Sequence, residues 1–563
     1  MNDFPWFKYY PESVPKEVDC EAYSSVAELF EESVKKYGDA VAFECMGKTM
    51  SFNTLNKLSE DFASYLTQVL RLKKGARVAI QMPNTLQYPV AMFGALRAGM
   101  IVVNTNPLYT SSEMKHQFKD SGAELIIIVA NFADNLEKIL DEIPAKHVIV
   151  TELGDLLGGL KGTLVNLVVK YIKKLVPPFS IPKAISFKSA LSQGAHHKFK
   201  PAELSLSDTA FLQYTGGTTG VSKGAELTHG NIVANMQQIS AWMKPKLKES
   251  EEVVITALPL YHIFALTVNC LAMLKIGAHN LLITNPRDMP AFCKELSKKK
   301  FTVITGVNTL FNGMLNQDAF RALDFSSLKI TVGGGMAVQK ATAEKWLAVT
   351  GTPLAEGYGL TETSPVASCN PIDGTERNGT IGIPLPNTDM MVIDDDGNTL
   401  PVGERGEICI KGPQVMKGYW HKPKETAEVM LGEWFKTGDI GVMDKDGFTK
   451  IVDRKKEMIL VSGFNVYPNE VEDAIASFSG VLEVGVIGIP DPKSTERVVA
   501  YVVVKDKAIT KEQIISHCHL SLTNYKCPKE VHFTDELPKS NVGKILRRKI
   551  KEAHLEKMGA SRQ

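Results

Sequence analysis

Short apolar runs alternate with stretches of helical spacing from about residue 76 to residue 388. The runs read as strands at 76–84, 123–131, 147–152, 209–215, 252–260, 279–285, 301–307 and 328–335. Alternation of this kind predicts stacked layers of helix and sheet. Residues 1–75 have mainly helical spacing, and so does the run 225–243 that follows a glycine-rich stretch.

The pattern changes in the last third of the chain. Residues 390–400, 406–412 and 447–454 read as strands joined by D-G and G-N turns with little helix, which predicts a small β-rich subdomain. Three later strand runs, at 482–491, 497–505 and 529–538, have helices between them and predict a compact α+β unit. We therefore predict an α/β chain: a large N-terminal domain of stacked α/β subdomains with the β-rich subdomain over 1–452, a charged hinge at 453–457, and a small C-terminal domain over 458–563.

One segment has an unusual charge distribution. No acidic residue occurs from 156 to 202, whereas eight lysines do. Within it, residues 162–176 have helical spacing and bring Leu164, Val168, Tyr171, Ile172 and Leu175 to one face, with lysines at its sides. Two structures fit this pattern: a helix whose apolar face packs on the core, and a basic amphipathic helix on an anionic membrane.

Composition excludes several classes of protein. Among 563 residues, 44% are apolar and 23% charged, which is typical of a globular protein with a large core. The formal net charge of +1 gives no overall attraction to nucleic acid. The eight cysteines are scattered without a C-x-x-C pair, which argues against a structural zinc site or a disulfide framework and fits a reducing cytosol. We expect neither a secretory signal nor a membrane span.

The stretch YTGGTTGVSKG, residues 214–224, has the composition of a phosphate-binding loop. Glycines allow backbone N–H groups to approach an anion closely, and hydroxyls and a lysine add donors and charge. The lysine spacing differs from that of the common NTPase loop, so the glycines alone fit a flexible surface loop equally well. The candidate binding residues are Thr215, Gly216, Gly217, Thr218, Thr219, Gly220 and Lys223.

Four further residues have chemistry that suits a nucleotide site. Glu362, in EGYGLTETSP, is a candidate magnesium ligand, although a lone acid is more often an exposed surface residue. Asp439, in WFKTGDIG, is an acceptor suited to paired ribose hydroxyls. His262 lies among apolar residues and alone would be a core histidine, and Lys544 lies on a glycine-bearing turn near the end of the chain.

Taken together, these motifs resemble the adenylate-forming superfamily of acyl-CoA synthetases, luciferases and adenylation domains. The likeness covers nearly the whole chain, and the motifs PLYHIFAL, GYGLTETSP, TGDIGVMDKDGF and PKSNVGKILRR occur in the family's order. The stretch from 438 to 472 is most similar to bacterial long-chain fatty acid–CoA ligases. This resemblance implies that a fatty acid is joined to AMP from ATP and then transferred to CoA.

The resemblance assigns a role to each candidate. The loop would hold the β- and γ-phosphates of ATP, and Glu362, with Thr215 as a second ligand, would hold Mg²⁺. Lys544 would reach the substrate carboxylate and the α-phosphate, with His262 bordering the acyl pocket. The remaining nucleotide contacts would come from Gly334, Glu356, Gly357, Tyr358 stacking on adenine, Gly359, Thr361, Asp439 on the ribose, and Arg454.

The resemblance also implies a mobile C-terminal domain that pivots near Asp453. One pose would deliver Lys544 for adenylation, and the other would bring the strand around Gly463 to form a CoA tunnel. Two positions depart from relatives: Leu460 replaces a lysine, and Leu266 replaces a tryptophan that gates the acyl tunnel in some thermophilic enzymes. We therefore assign no role to Leu460 and leave the gating and the preferred chain length open.

Two alternative functions remain at this stage. One is a ligase that passes the acyl group to a carrier protein, and the other is a membrane-associated fatty-acid binding or uptake protein. The expected partners are a long-chain fatty acid, ATP and CoA, with no nucleic acid. The expected location is the cytoplasm, including peripheral attachment to the inner face of the membrane. The oligomeric state is left open, a homodimer included.

Overall fold

A computed structural model describes residues 4–215, 222–540 and 543–560 of the chain. Within that part of the chain, the strands are β1 (Val41–Cys45), β2 (Lys48–Ser51), β3 (Arg77–Gln81), β4 (Ile101–Asn104), β5 (Leu125–Val129), β6 (His147–Thr151), β7 (Ile185–Ser186), β8 (Thr209–Thr215), β9 (Lys223–Thr228), β10 (Val253–Thr256), β11 (His279–Leu282), β12 (Val303–Gly306), β13 (Ile330–Gly333), β14 (Leu354–Gly359), β15 (Val366–Cys369), β16 (Ile383–Pro384), β17 (Asp389–Ile393), β18 (Arg405–Lys411), β19 (Gly418–Tyr419), β20 (Met430–Leu431), β21 (Trp434–Met443), β22 (Thr449–Arg454), β23 (Ile459–Val461), β24 (Phe464–Val466), β25 (Val481–Asp491), β26 (Thr495–Val504) and β27 (Glu530–Phe533).

The helices of the same described residues are α1 (Val26–Tyr37), α2 (Phe52–Ser64), α3 (Gln87–Arg97), α4 (Ser111–Ser121), α5 (Ala133–Glu137), α6 (Gly159–Leu167), α7 (Phe187–Gly194), α8 (His229–Met243), α9 (Met273–Lys275), α10 (Met289–Leu296), α11 (Asn308–Leu315), α12 (Asp318–Arg321), α13 (Lys340–Thr350), α14 (Pro423–Val429), α15 (Pro468–Ala476), α16 (Lys511–Cys518) and α17 (Arg547–Ala560). Three segments within the described ranges are wound as π-helix: Tyr65–Val69, Val168–Ile172 and Ala265–Ala272.

Two large sheets form the N-terminal part. One has nine strands in the order β16-β15-β14-β13-β12-β10-β11-β1-β2, and the other has eight in the order β19-β9-β8-β4-β3-β5-β6-β7. Their central strands pair in parallel and are buried on both faces, as expected where helices cover a sheet. This arrangement confirms the predicted α/β class.

Two smaller sheets complete the fold. β17, β18, β20, β21 and β22 form an antiparallel sheet of five strands, in agreement with the predicted β-rich subdomain. β23 to β27 form a second five-stranded sheet with α15, α16 and α17 interspersed along the chain. The chain therefore has a large N-terminal part and a small α+β C-terminal part.

One local prediction missed two strands, and another was wrong. Residues 1–75 are mainly helical, as predicted, but β1 and β2 add a hairpin to the edge of the nine-stranded sheet. Residues 225–228 belong to β9 rather than to a helix, and α8 begins only at His229, after Thr228 caps it with a side chain that accepts from the Asn231 backbone N–H. The glycine-rich stretch therefore joins two antiparallel strands rather than a strand and a helix.

The basic segment does not pack its apolar stripe on the core. Leu160, Leu164 and Tyr171 are 91%, 62% and 64% exposed, and Ile172 is 74% exposed. The inward side of α6 is held by Asn166, whose side chain accepts from the Gly154 N–H at 2.7 Å and donates to Glu152 at 2.9 Å. The core-packing alternative for the predicted apolar face is therefore wrong.

Candidate active site

The β8–β9 hairpin carries the predicted phosphate loop. Thr215 and Lys223 pair across the two strands, and the Ser222 hydroxyl donates to the Thr215 carbonyl at 2.6 Å, which closes the base of the loop. The Ser222 carbonyl is in turn bonded to His116 Nε2 at 2.8 Å. Gly216, Gly217, Thr218, Thr219 and Gly220 lie outside the described residues, so their predicted role stays a prediction.

Glu362 lies beside this hairpin and is buried, not exposed. It occupies the turn Thr361–Thr363, which packs against β8 and β9, and 8% of the residue is exposed. Its Oε1 accepts from the Tyr419 hydroxyl at 2.7 Å. Burial raises the pKa of Glu362, and the bond from Tyr419 counteracts that rise by favouring the carboxylate.

Tyr419 connects Glu362 to the loop lysine. The residue pairs with Ala225 of β9, and the Lys223 ammonium lies 5.0 Å from the centre of its ring. A cation over the face of a tyrosine ring is attracted by the ring quadrupole. One side chain thus orients both the candidate metal ligand and the candidate phosphate-binding lysine.

Asp439 is held between two partners. It lies on β21 opposite Arg454 of β22, with Arg454 Nε 3.0 Å from Asp439 Oδ1. The Tyr358 hydroxyl donates to Asp439 Oδ2 at 2.6 Å. The structure therefore brings together three residues that the sequence places far apart, and it fixes the orientation of the carboxylate. Because Tyr358 is buried and bonded in this way, its position is set by Asp439.

The backbone between β13 and β14 is closely packed around glycines. Gly334 N–H donates to the Gly306 carbonyl at 3.1 Å, and a Cβ at Gly334 would lie 3.0 Å from the Phe264 ring. At Gly359 a Cβ would overlap the Pro365 carbonyl. Glu356 and Gly357, on β14, line the same region, and burial raises the pKa of Glu356 to about 8. Gly334 and Gly359 therefore lie where the surrounding atoms leave little or no room for a side chain.

Lys544 reaches the site from the C-terminal part of the chain. Burial, followed by repulsion from Arg454, lowers the pKa of Lys544 to about 8, while the carboxylates of Glu457 and Asp439 oppose that shift. Burial and the nearby Lys544 charge lower the pKa of His262 to about 4. His262 is therefore neutral at pH 7, and its Nδ1 accepts from the Phe264 N–H at 3.3 Å.

The lysine loop docks directly on the large domain. The Gly543 carbonyl accepts from the Thr309 hydroxyl at 2.9 Å, and Asn312 donates to the Leu482 carbonyl at 2.9 Å. Gly543 has φ +86, and a Cβ there would approach Thr309 closely, so both backbone conformation and space favour glycine. These contacts from α11 hold the turn that carries Lys544 on the large domain, where its charge interacts with those of Asp439 and Arg454.

An arginine that the motif analysis did not single out organises the predicted hinge. Arg547 binds Glu472 through two bonds of 2.8 and 2.6 Å and Asp453 Oδ1 at 3.1 Å, and it also contacts Glu457 and Asn469. Asp453 is fully buried and also accepts from the Asn469 N–H at 2.7 Å. The hinge is therefore tied to the turn that carries Lys544.

Gly463 lies away from this cluster. It is exposed at the tip of the β23–β24 hairpin with φ +84, and nothing lies within 4 Å of where its Cβ would be. Leu460 is 36% exposed, whereas Leu266 is fully buried in the π-helical segment. In this pose the structure therefore gathers Lys544 at the candidate site and leaves Gly463 on the surface.

The donor set fits a hard cation at Glu362. A carboxylate is a ligand that Mg²⁺ prefers. Within the described residues, the hydrogen bond of the Thr215 hydroxyl is a long one, 3.5 Å to the Lys223 carbonyl, so its oxygen could also bind a cation. Neutral His262 borders the cluster, and no carboxylate in the described part of the chain pairs with it. Among the described residues, no group of three or more His, Cys, Asp or Glu side chains could hold a metal by itself. Phosphate oxygens would have to complete the coordination, as is usual for Mg²⁺ at nucleotides.

Comparisons with known proteins agree with this geometry. A profile described as AMP-binding enzyme matches residues 30–420, and one described as AMP-binding enzyme C-terminal domain matches residues 470–544. The chain is 56% identical to the long-chain-fatty-acid–CoA ligase of Escherichia coli O6:H1, over 97% of this chain and 98% of that one. It is 37% identical to the enzyme of the same name from Bacillus subtilis strain 168, over 98% of each chain.

Solved structures show the same fold. ATP-bound MatB from Rhodopseudomonas palustris matches with a TM-score of 0.79 and 27% identity, over 94% of this chain and 99% of that one. An anthranilate CoA ligase in complex with anthranoyl-AMP matches with a TM-score of 0.84 over 95% of this chain and 99% of that one, at 24% identity. The chain belongs to the AMP-binding enzyme family.

Proposed function

We propose that this enzyme is a long-chain fatty acid–CoA ligase that forms an acyl-AMP and then an acyl-CoA. The observation that carries the proposal is Lys544, a cation brought from the C-terminal part of the chain to Asp439 and Arg454 beside the loop hairpin. The names of the full-length relatives support the choice of a fatty acid as substrate and CoA as acceptor.

In the first step, a carboxylate oxygen of the fatty acid attacks the α-phosphorus of ATP. The bond from that phosphorus to the bridging oxygen breaks, and pyrophosphate leaves. The attacking group and the triphosphate are both anions, so the site must neutralise charge where they meet. Lys544 supplies a positive charge at that point, and Lys223 supplies one to the departing phosphates. A bound Mg²⁺ would neutralise further phosphate charge, held by Glu362 and Thr215.

The nucleotide would be fixed by the groups around Asp439. The Asp439 carboxylate, which Arg454 and Tyr358 already orient, has lone pairs suited to the two ribose hydroxyls. Tyr358, Glu356, Gly357, Gly359 and Thr361 would border the adenine. Gly334 and neutral His262 would line the acyl side, so His262 adds no positive charge that would compete with phosphorus for the carboxylate.

In the second step, the CoA sulfur attacks the acyl carbonyl, the bond to the AMP oxygen breaks, and the thiol proton leaves to solvent. We propose that 1–452 forms the ATP- and acyl-binding domain, that 453–457 is the hinge, and that 458–563 is a mobile domain. Rotation about Asp453 would withdraw Lys544 and bring the exposed Gly463 hairpin to the site as part of the CoA tunnel.

We also propose that the enzyme acts in the cytoplasm and attaches reversibly to the inner face of the membrane. Among the described residues, no helix is long and apolar enough to cross a bilayer. A long-chain fatty acid is concentrated in membranes, so an enzyme resting on that surface would meet its substrate there.

The test of the function is release of pyrophosphate and AMP with a ladder of fatty acids, each with and without CoA. Acyl-CoA and AMP that appear together, fastest with long chains, would establish the ligase. Acyl-AMP that stays bound and that CoA cannot discharge would indicate a carrier-protein acceptor instead. No turnover with any acid would contradict the proposed activity and leave a binding protein.

The adenylation rate is expected to depend on the charge of Lys544. The ammonium form is present below its pKa of about 8 and is lost as the pH rises through that value. The kcat/KM for ATP, which reports the free enzyme, should therefore be level below pH 8 and fall about tenfold per pH unit above it. Lys544→Arg should be slower but level to higher pH, because guanidinium stays charged. A falling limb that persists in Lys544→Arg would assign the titration to another group, such as Glu356.

The magnesium requirement is expected to depend on Glu362 and, to a smaller extent, on Tyr419. Glu362→Gln removes the ligand charge and should raise the Mg²⁺ concentration for half-maximal adenylation about a hundredfold. Tyr419→Phe removes only the orienting hydroxyl and should raise it about tenfold. The matched control is Glu428→Gln at an exposed acid, which should change nothing. An unchanged magnesium titration in Glu362→Gln would exclude this residue as the ligand.

A further inference from the structure

The segment 159–175 carries an exposed apolar stripe. Leu160, Leu164, Leu167 and Tyr171 recur at spacings of four, three and four residues, which puts them on one side of a helix. They are 91%, 62%, 48% and 64% exposed, and Ile172 and Leu175 extend the apolar surface at the end of the segment. Of the fifteen large apolar side chains that are exposed in the described part of the chain, six lie in segment 159–175 and the other nine are scattered.

The fold holds the opposite side of the helix in place. A Cβ at Gly162 would overlap the Gly154 carbonyl, so the helix lies directly on the backbone before it. Asn166 binds both Gly154 and Glu152, and Val165 packs against the main core. The stripe is therefore presented outward by a fixed helix, and its exposure does not result from a loosely attached segment.

Positive charge surrounds the stripe. Lys161, Lys170, Lys173 and Lys174 are all exposed, and no acidic residue occurs between 156 and 202. Among the described residues, neither Lys173 nor Lys174 forms an ion pair with a carboxylate, and Lys170 lies 5.6 Å from the centre of the Tyr171 ring. Lysines with long aliphatic stems beside an apolar stripe can keep their ammonium groups at the level of lipid phosphates while the stripe enters the bilayer.

We propose that segment 159–175 is the surface by which this enzyme docks on an anionic phospholipid membrane. The charge decides between possible occupants. A second copy of the chain would bring the same lysines against each other, whereas phospholipid headgroups supply the missing negative charge. This surface deepens the proposed function, because it is where a ligase would meet its fatty acid in the membrane. The benefit of docking rests on the proposed function, whereas the docking itself does not.

Two sets of substitutions test the two components of binding. Leu164→Gln with Tyr171→Gln removes apolar area, and Lys170→Glu, Lys173→Glu and Lys174→Glu together reverse the charge. All five side chains are exposed, so both variants should fold. The apolar control is Leu520→Gln, which changes a leucine that is 82% exposed elsewhere. The charge control is Lys345→Glu, Lys424→Glu and Lys511→Glu, which makes the same charge change at distant exposed sites.

The measurement is co-sedimentation of the full chain with vesicles of phosphatidylcholine alone or with about 30% phosphatidylglycerol. The parent protein should prefer the anionic vesicles and lose that preference in high salt. Each segment variant should lower the vesicle partition coefficient at least tenfold, and neither control should do so. Binding that is the same in the variants and the parent would overturn the proposal. So would a change of oligomeric mass in the variants with vesicle binding unchanged, which would assign the face to a second copy.

Activity separates this inference from the proposed function. With a fatty acid short enough to dissolve freely, the segment variants should turn over at the parent rate. With a long-chain acid supplied in anionic vesicles, their rate should fall together with their vesicle binding. Absence of turnover with every acid, dissolved or in vesicles, in parent and variants alike would contradict the ligase assignment, whereas vesicle binding would still test the docking surface.

Discussion

Replacing Lys544 with alanine is expected to slow acyl-AMP formation about a thousandfold and to leave the second half-reaction within about threefold of the parent rate. Removing one preorganised group that stabilises transition-state charge typically costs about a hundredfold to a thousandfold. Lys544 is half-buried beside Asp439 and Arg454, where water screens its charge less than at the surface. The proposed thioester pose withdraws the same residue, so the second step should not need it.

The measurement uses two assays on the same protein. Pyrophosphate release from ATP and a fatty acid reports the first step, and conversion of supplied acyl-AMP with CoA reports the second. Lys549→Ala, at an exposed lysine on α17 five residues away, is the matched control and should leave both rates unchanged. Equal losses in both steps for Lys544→Ala would contradict the role in adenylation and would indicate damage to the C-terminal part as a whole.

Much of the fold could be predicted because its central strands are short apolar runs between helices. β9 was missed because its residues Lys223–Thr228 run directly into the helix pattern of α8, so that one helical spacing covers both. Its strand conformation comes from pairing with β8 and β19, which are tertiary contacts that no local pattern reports. β1 and β2 were missed for a similar reason, because their strand conformation comes from pairing with each other and with β11.

The site could be predicted where it lies in compact motifs and not where it depends on distant partners. Glu362, Asp439 and Lys544 each belong to a recognisable stretch of sequence. Tyr419 lies 57 positions from Glu362, and its only sequence signal was the aromatic pair in KGYWHKP. Arg547 belongs to the motif PKSNVGKILRR, but its partner Asp453 is 94 positions away. No feature of the neighbouring sequence therefore distinguished Arg547 from Arg548.

The amphipathic segment illustrates a limit of periodicity. The spacing of Leu164 and Tyr171 predicts that one face is apolar, yet it does not say whether that face meets the core or the outside. The decision comes from contacts on the opposite side of the helix, where Gly162 and Asn166 lie against residues 152–154. The charge distribution predicts the outcome better than the spacing does. Packing on the core does not require that a helix and its flanking residues contain no acidic side chain, whereas binding to an anionic surface favours it.

Replacing Arg547 with alanine is expected to lower the stability of the C-terminal domain by about 3–5 kcal/mol, the usual cost of leaving buried charges without their partner. Arg547 is 13% exposed, and it pairs with Asp453, which is fully buried, and with Glu457 and Glu472. Removing the guanidinium leaves three carboxylates together around the hinge. The loss should also free the hinge from the Lys544 turn, so adenylation should fall even where the domain remains folded.

The measurement is amide hydrogen exchange of α15 and β25, because all five tryptophans precede residue 435 and fluorescence would not report this domain. Arg548→Ala is the control, since Arg548 is 57% exposed and its pair with Glu552 lies on the helix surface, where such pairs contribute about 0.3–0.5 kcal/mol.

Burial already raises the pKa values of Asp453 and Glu472, and losing Arg547 should raise them further. A carboxyl whose folded pKa lies above its unfolded value destabilises the fold at high pH and ceases to do so as it gains a proton. The deficit of Arg547→Ala should therefore be larger at pH 8 than at pH 5. A deficit that is independent of pH, or as small as that of Arg548→Ala, would show that the carboxylates do not depend on Arg547.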